Sequence, residues 1–242
     1  MAVETKQSLF KMSLSPIAAM FDRISPSYDR LNHLLSFNID KVWRRKTAKL
    51  VAKQHPKTIL DLATGTADLA IELAKRNPQA RIIGADFSEK MLEIGKVKIQ
   101  QQHLDNQIEL LWCDAALLPF RDNSFDTVSV AFGVRNFEDL DKGLSEMLRV
   151  VKVGGQVVIL EFSHPESFPI KQVYRLYFKH ILPKIGKWVS KDGNAYSYLP
   201  ASVERFPKSN DFLQLLSEKG LKNGMKKRFS FGIATLYQAE KR

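Results

Sequence analysis

The chain has 242 residues, 44% of them apolar, and its 37 Lys and Arg against 26 Asp and Glu give a formal net charge of +11. That length suits one large α/β domain with a sizeable core, and the basic balance points to an anionic partner, nucleic acid or a membrane surface. Cys113 is the only cysteine, which excludes an internal disulfide, and no run approaches the ~20 apolar residues of a spanning helix. The first seven residues lack the apolar core of a signal peptide, so a soluble or peripheral protein of a reducing cytoplasm is expected.

Residues 1–12 are polar and read as loose. From Ile17 to Lys53 apolar residues recur with helical spacing, among them Phe21, Ile24, Leu31, Val42 and Trp43. This segment precedes the first strand and is placed to cover a site. Strands are predicted near 58–62, 81–86, 108–113, 125–132 and 156–161. Helices are predicted near 67–76, 88–102 and 138–151, with Ser88 as an N-cap. Val151 to Gly155 reads as a stop and turn before the fifth strand. Further helices are expected near 170–189 and 207–219, and Phe229 to Ala239 reads as a last strand or hairpin. Strands separated by helices imply a parallel, doubly wound α/β sheet.

The stretch from Thr58 to Ala70 runs from an apolar strand through a small-residue turn into a helix. A second strand then ends on Asp86, 25 residues after Asp61. That is how an open α/β sheet holds an adenosine-bearing ligand, because a carboxylate at the second strand tip accepts two hydrogen bonds from a ribose diol. A dinucleotide needs G-x-G-x-x-G for its pyrophosphate, whereas this turn has only Gly65, flanked by Thr64 and Thr66. S-adenosylmethionine has no phosphate but does have an ammonium group, which a carboxylate such as Asp61 suits. The loop therefore favours S-adenosylmethionine. The plainer alternative is an ordinary turn in which Asp61 and Thr66 act as caps. Asp114, past the third strand, is placed to accept from an adenine amino group beside the small Ala115, or to cap its turn.

Phe21 to Asn32, with Phe-Asp-Arg-Ile-Ser-Pro-Ser-Tyr at its start, resembles the N-terminal signature of the ubiquinone/menaquinone-biosynthesis C-methyltransferases. Leu35 to Asp40, Trp43 to Lys46, Ala131 to Asn136, Arg149 to Gly155 and Leu160 to Ser163 continue the resemblance, which spans about residues 17–240. It implies a class I S-adenosylmethionine-dependent methyltransferase, Rossmann-like, with a seven-stranded, mostly parallel sheet and helices on both faces. It implies one domain over 1–242, with 1–53 as a helical cover and 167–200 as a basic, aromatic-rich insertion near substrate or membrane. Thr66, Asp86, Asp114 and Ala115 fall on the family's S-adenosylmethionine positions. Ala67 departs from the glycine common there and narrows the backbone geometry. Ala131 stands where some members have serine, and His164 where lysine is frequent.

The reaction implied is methyl transfer to a ring carbon of a reduced, prenylated quinone, a naphthoquinol in preference to a benzoquinol. A cation beside the phenolic oxygen stabilises the developing phenolate, and Arg135 is the candidate, with Asn136 orienting the same oxygen or the cofactor. The alternative for Arg135 is a surface pair with Glu138 or Asp139. Water, His164 or Tyr28 are the candidate proton acceptors, though a loop histidine with a satisfied nitrogen is the commoner reading of His164. Tyr28 and Asp29 are placed to close over the cofactor, or to serve as a packed aromatic and a helix cap. No His/Cys cluster has metal-ligand spacing, so no metal is expected.

Residues 167–191 carry six Lys and Arg, no acid and many interleaved apolar and aromatic residues, the pattern of a membrane-surface element. The expected partners are a prenylated quinol, the anionic inner face of the cytoplasmic membrane and, as an open option, a second copy in a homodimer. No nucleic acid is expected. An RNA methyltransferase is the main alternative, suggested by the charge, but the chain shows no RNA-binding module and carries Gly133-Val-Arg-Asn136 where amino-group methyltransferases carry an Asn/Asp-Pro-Pro-Tyr tetrapeptide.

Overall fold

A computed structural model describes residues 16–176 and 193–242. The described elements begin with two helices, α1 (Pro16–Leu35) and α2 (Ile39–Val51). There follow β1 (Thr58–Leu62), α3 (Asp68–Arg76), β2 (Arg81–Asp86), α4 (Glu89–Gln101), β3 (Ile108–Trp112) and β4 (Phe125–Ala131). The chain continues with α5 (Leu140–Val150), β5 (Val151–Phe162), α6 (Ile170–Leu176), α7 (Gly193–Arg205), α8 (Ser209–Glu218), β6 (Leu221–Phe229) and β7 (Ala234–Lys241).

The seven described strands make one sheet in the order β3-β2-β1-β4-β5-β7-β6. The first five are mutually parallel, and β7 runs antiparallel to both β5 and β6. The chain leaves β1 towards β2 and β3, then returns to β4 on β1's other side. This is the topological switch point at which open α/β sheets bind ligands.

Strand periodicity divides the core between two faces. Leu60 and Leu62 of β1 join Val128, Val130, Leu144, Met147 and Phe212 on one side, under α5 and α8. Ile59 joins Ile82, Leu73, Trp43 and Val158 on the other, under α2 and α3. Parallel strands buried on both sides read as the near-continuous apolar runs seen in the sequence. The outer strand β6 blunts its open edge with exposed Lys222, Lys227 and Arg228.

Two expectations need correction: the last strand or hairpin read over Phe229 to Ala239 is two strands, β6 and β7, of which β6 lies almost wholly before Phe229, and the fifth strand begins earlier than read. The fifth strand starts at Val151, not after Gly155, because the buried Val151 already pairs with Phe125. The glycines are absorbed as a bulge before Gln156 pairs with Thr127, and a Cβ at Gly155 would sit 2.8 Å from the Asp126 carbonyl oxygen. A helix at 193–205, not anticipated, carries Pro200 inside it. The helix expected over 170–189 is seen over 170–176, and its continuation, like residues 1–12, lies outside the described residues.

Ala67 leads into α3 with φ 66° and ψ 20° and no side-chain cap. A left-handed alanine costs about 1–2 kcal/mol, while its fully buried methyl contributes about 0.8 kcal/mol. Ala67→Gly trades one for the other. Its melting temperature is therefore expected within about 2 °C of the parent, or above it, where glycine for a buried alanine elsewhere would lower it. A drop beyond about 4 °C in calorimetry would show that the strain is not there.

Candidate active site

The carboxyl ends of β1, β2 and β4 converge on one polar compartment. Asp61 is almost fully buried and accepts from Thr64 Oγ1 and Ser129 Oγ, both at 2.8 Å. Ser129 lies directly opposite Asp61 in the β1–β4 register, so the pair exists only once the strands align. Asp86 receives the Gly65 amide on one oxygen at 2.8 Å and the Ser88 amide on the other at 2.9 Å. Burial pushes both carboxyls up to about 6, against the hydrogen bonds they accept.

Close approach shapes this compartment. A Cβ on Gly133, just past β4, would meet the Ala63 Cβ at 2.3 Å, so glycine lets the two strand-end loops pass. Gly65 has φ 56° and nothing within 4 Å of where a Cβ would sit, which leaves open space against its backbone. Asp114 Oδ1 accepts from the Ala116 amide at 2.8 Å, so the turn-capping reading is seen, and Ala115 sits within that turn.

Helix α1 lies over this compartment. Ser88 Oγ donates to Asp22, and Thr66 Oγ1 donates to Asp29 Oδ1 at 2.6 Å. Lys98 Nζ reaches Asp29 Oδ2 at 2.8 Å and also bonds Asp68. Asp29 is mid-helix and so is not a helix cap, and Thr66 faces α1 rather than capping α3. His33, Asp40 and Asp68 bring ligand atoms within 4.8 Å of one another. Arg44 and Lys98 already lie against those carboxylates, which accounts for the cluster without a metal.

Beside the polar compartment is a cavity of about 280 Å³, walled by α1, α2, α7 and the ends of β4 and β5. Its lining is dominated by apolar and aromatic side chains, including Tyr28, Trp43, Phe132, Phe162 and Tyr198. Two arginines line this cavity, Arg44, which pairs with Asp40, and Arg135, whose side chain is 6% exposed. Arg135 does not pair with Glu138 or Asp139 as the sequence allowed. Nη1 donates to Glu161 Oε1 at 2.7 Å, and its backbone amide donates to Glu161 Oε2 at 3.2 Å. Its guanidinium carbon stands 5.3 Å from the Phe162 ring centroid. The surface alternative fails because Arg135 turns inward to a carboxylate that is itself fully buried. Asn136 Oδ1 accepts from Tyr198 Oη at 3.1 Å, which ties α7 to the same turn.

Burial raises the Tyr28 phenol above its ordinary range, against the pull of Arg135 and Arg44, so it keeps its proton at neutral pH. His164 turns a ring nitrogen to the Val203 carbonyl at 3.2 Å, the satisfied-loop arrangement. Sequence reasoning missed Glu161, although a carboxylate inside Val157-Val-Ile-Leu-Glu-Phe162 is the signal that marks it. Ser129 and Tyr198 were missed too, for want of register and of α7.

This sheet order, with its last strand inserted antiparallel and ligand groups at the switch point, is that of class I S-adenosylmethionine-dependent methyltransferases. A crystal structure of YcgJ from Bacillus subtilis matches with a TM-score of 0.58 at 17% identity, covering 81% of this chain and 98% of that one. A SAM-dependent methyltransferase from Aquifex aeolicus gives 0.57 at 18% identity, covering 79% and 88%. Residues 8–241 match the ubiE/COQ5 methyltransferase family, to which the chain belongs. A demethylmenaquinone methyltransferase of Bacteroides fragilis is 46% identical over 93% of this chain and 92% of its own length. A ubiquinone/menaquinone biosynthesis C-methyltransferase UbiE of Geobacter sulfurreducens is 44% identical over 93% and 88%.

Ionised Asp61 is held at a cost. With its carboxyl raised from 3.8 to about 6, the charged form costs the fold on the order of 3 kcal/mol above pH 6. The folded value exceeds the unfolded one, so this penalty is full above pH 6 and vanishes as pH falls to about 4. Asp61→Asn is therefore expected to raise the melting temperature of the ligand-free protein by several degrees at pH 8. The gain should fade towards pH 4.5, and calorimetry at both pH values reads it.

Proposed function

We propose that this chain transfers the methyl group of S-adenosylmethionine to a ring carbon of demethylmenaquinol, completing menaquinol. The observation that carries the reading is the buried Arg135–Glu161 pair facing an apolar cavity directly beside the strand-end carboxylates. The residues present fit the donor. Asp86 retains lone pairs for a ribose diol, Asp61 presents negative charge for an ammonium, and open space adjoins Gly65. Asp114 and Ala115 would border the adenine, and Thr66 would belong to the loop around it.

S-adenosylmethionine supplies an electrophilic methyl group on a sulfonium. The chain's own task is alignment and charge. Arg135 holds positive charge beside the phenolic oxygen, which favours the phenolate and raises electron density on the neighbouring ring carbon. Asn136, held by Tyr198, orients the same edge. Trp43, Phe132 and Phe162 exclude water, which strengthens the Arg135 field. Helices α1 and α2 serve as the cover of a single domain.

Among the described residues no helix is long and apolar enough to cross a membrane. We infer that the chain meets its prenylated substrate by peripheral contact with the anionic cytoplasmic face of a membrane.

Labelled S-adenosylmethionine, offered with reduced demethylmenaquinone and in parallel with the demethylated benzoquinol precursor of ubiquinone in detergent, tests the reaction. Turnover of the first alone is expected. Turnover of both makes the chain a dual-pathway enzyme, and turnover of neither with the methyl donor bound removes the quinol reading.

A further inference from the structure

Two phenylalanines stand beside the cavity with most of their surface in water. Phe37, between α1 and α2, and Phe231, between β6 and β7, are each 76% exposed. Both sit in left-handed backbone, at φ 52° and φ 60°, next to Asn38 at 59° and Ser230 at 44°. Such conformations are disfavoured for bulky residues. Strain and solvent exposure thus fall on the same two side chains.

Helix α2 joins the two turns. Trp43 Nε1 donates to Ser230 Oγ at 3.1 Å, and Lys46 Nζ lies 5.4 Å from the Phe229 ring centroid. Ile39 and Val42 are each 41% exposed on this helix. Phe37, Ile39 and Ser230 are also part of the cavity lining, so the outer apolar strip is continuous with the inner wall. Lys41, Arg45, Lys46 and Lys49 are exposed along the same helix, whose one carboxylate, Asp40, is buried.

We propose that this rim, formed by Phe37, Ile39, Val42 and Phe231, docks on an anionic lipid bilayer and seats the cavity mouth at the acyl boundary. The inference rests on the prenylated-quinol reading, because a tail dissolved in hydrocarbon reaches the cavity most directly when the mouth faces the bilayer. Charge complementarity selects lipid over a second copy. An isologous contact through this face would set the α2 lysines against their own equivalents, whereas anionic headgroups neutralise them.

The test is co-sedimentation of the full chain with vesicles of phosphatidylcholine and phosphatidylglycerol, and with phosphatidylcholine alone. The parent is expected on the anionic vesicles and far less on the neutral ones. Phe231→Ser combined with Val42→Ser, neither of them in the cavity lining, should weaken anionic-vesicle binding about tenfold or more. The same variant should methylate a short-tailed demethylmenaquinol in solution at the parental rate, which also shows that it folds. Vesicle binding equal to the parent's overturns the rim. A parent that methylates the quinol but ignores vesicles overturns docking and leaves the reaction standing. A parent that binds vesicles but methylates no quinol removes the reaction instead. A lipid-free dimer that this variant dissociates assigns the face to a second copy and overturns the proposal.

Discussion

Asp86→Ala is expected to weaken S-adenosylmethionine binding by about 10²- to 10⁴-fold, read by titration calorimetry. Two charge-assisted hydrogen bonds to a ribose diol contribute roughly 1.5–3 kcal/mol each, and alanine removes both. The side chain also anchors the Gly65 and Ser88 amides, so the loop loses its fixed shape. Asp86→Asn, which keeps one acceptor, should fall between the parent and alanine. Acid should imitate the substitution. Burial pushes the Asp86 carboxyl up to about 6, so at pH 5 about nine in ten ligand-free molecules carry it neutral. Affinity at pH 5 should then be about tenfold lower than at pH 7.5. The stability of the empty protein responds with the opposite sign, because the burial penalty on that charge disappears over the same interval. A pH-independent affinity would show that ionised Asp86 is not the receiving group.

Glu161→Ala is expected to lower stability by about 3–5 kcal/mol, which for a chain of this size is a fall of about 10 °C in melting temperature. Glu161 is fully buried and receives the Arg135 guanidinium, the Arg135 amide and the Phe162 amide. Alanine leaves a guanidinium buried without its carboxylate. Replacing both partners by apolar residues, Glu161→Leu with Arg135→Met, should recover much of the loss, because two buried charges cost nearly what their attraction returns. Activity should not recover with it. Glu161→Gln separates the effects further. If Glu161 positions Arg135, kcat falls while KM for S-adenosylmethionine stays near the parental value. Equal losses in both would reduce Glu161 to a structural part.

Strands β1 to β5 and most helices of the central fold are legible because each is a run of one hydrophobic period bounded by a turn signal, whereas the exposed, lysine-rich β6 carries no such run. Ser88 as N-cap was readable for the same local reason, and its hydroxyl accepts from the Met91 amide. What eluded the sequence depends on contacts distant along the chain. The 68-residue separation of Asp61 and Ser129 vanishes only when β1 pairs with β4. The inward turn of Arg135 depends on Glu161, 26 residues on and in another strand. The bulge at Gly155 hides behind a glycine pair that looks like any turn. Helix α7 was obscured by Pro200, which argues against a helix locally but is overridden where Tyr198 and Val203 are tied to Asn136 and His164.

The polar groups of the site sit on neighbouring strands: Asp86 ends β2, Asp61 lies in β1, Ser129 in β4 and Glu161 in β5. Adjacent strands lie about 4.8 Å apart, so β2 and β5 are separated by about 14 Å whatever the loops do. The sheet is thus a ruler across which two ligands can be laid end to end. Its graduations are backbone hydrogen bonds, which no side-chain substitution erases singly. Loops and covering helices can drift in evolution to suit other substrates while the distance between donor and acceptor stays constant.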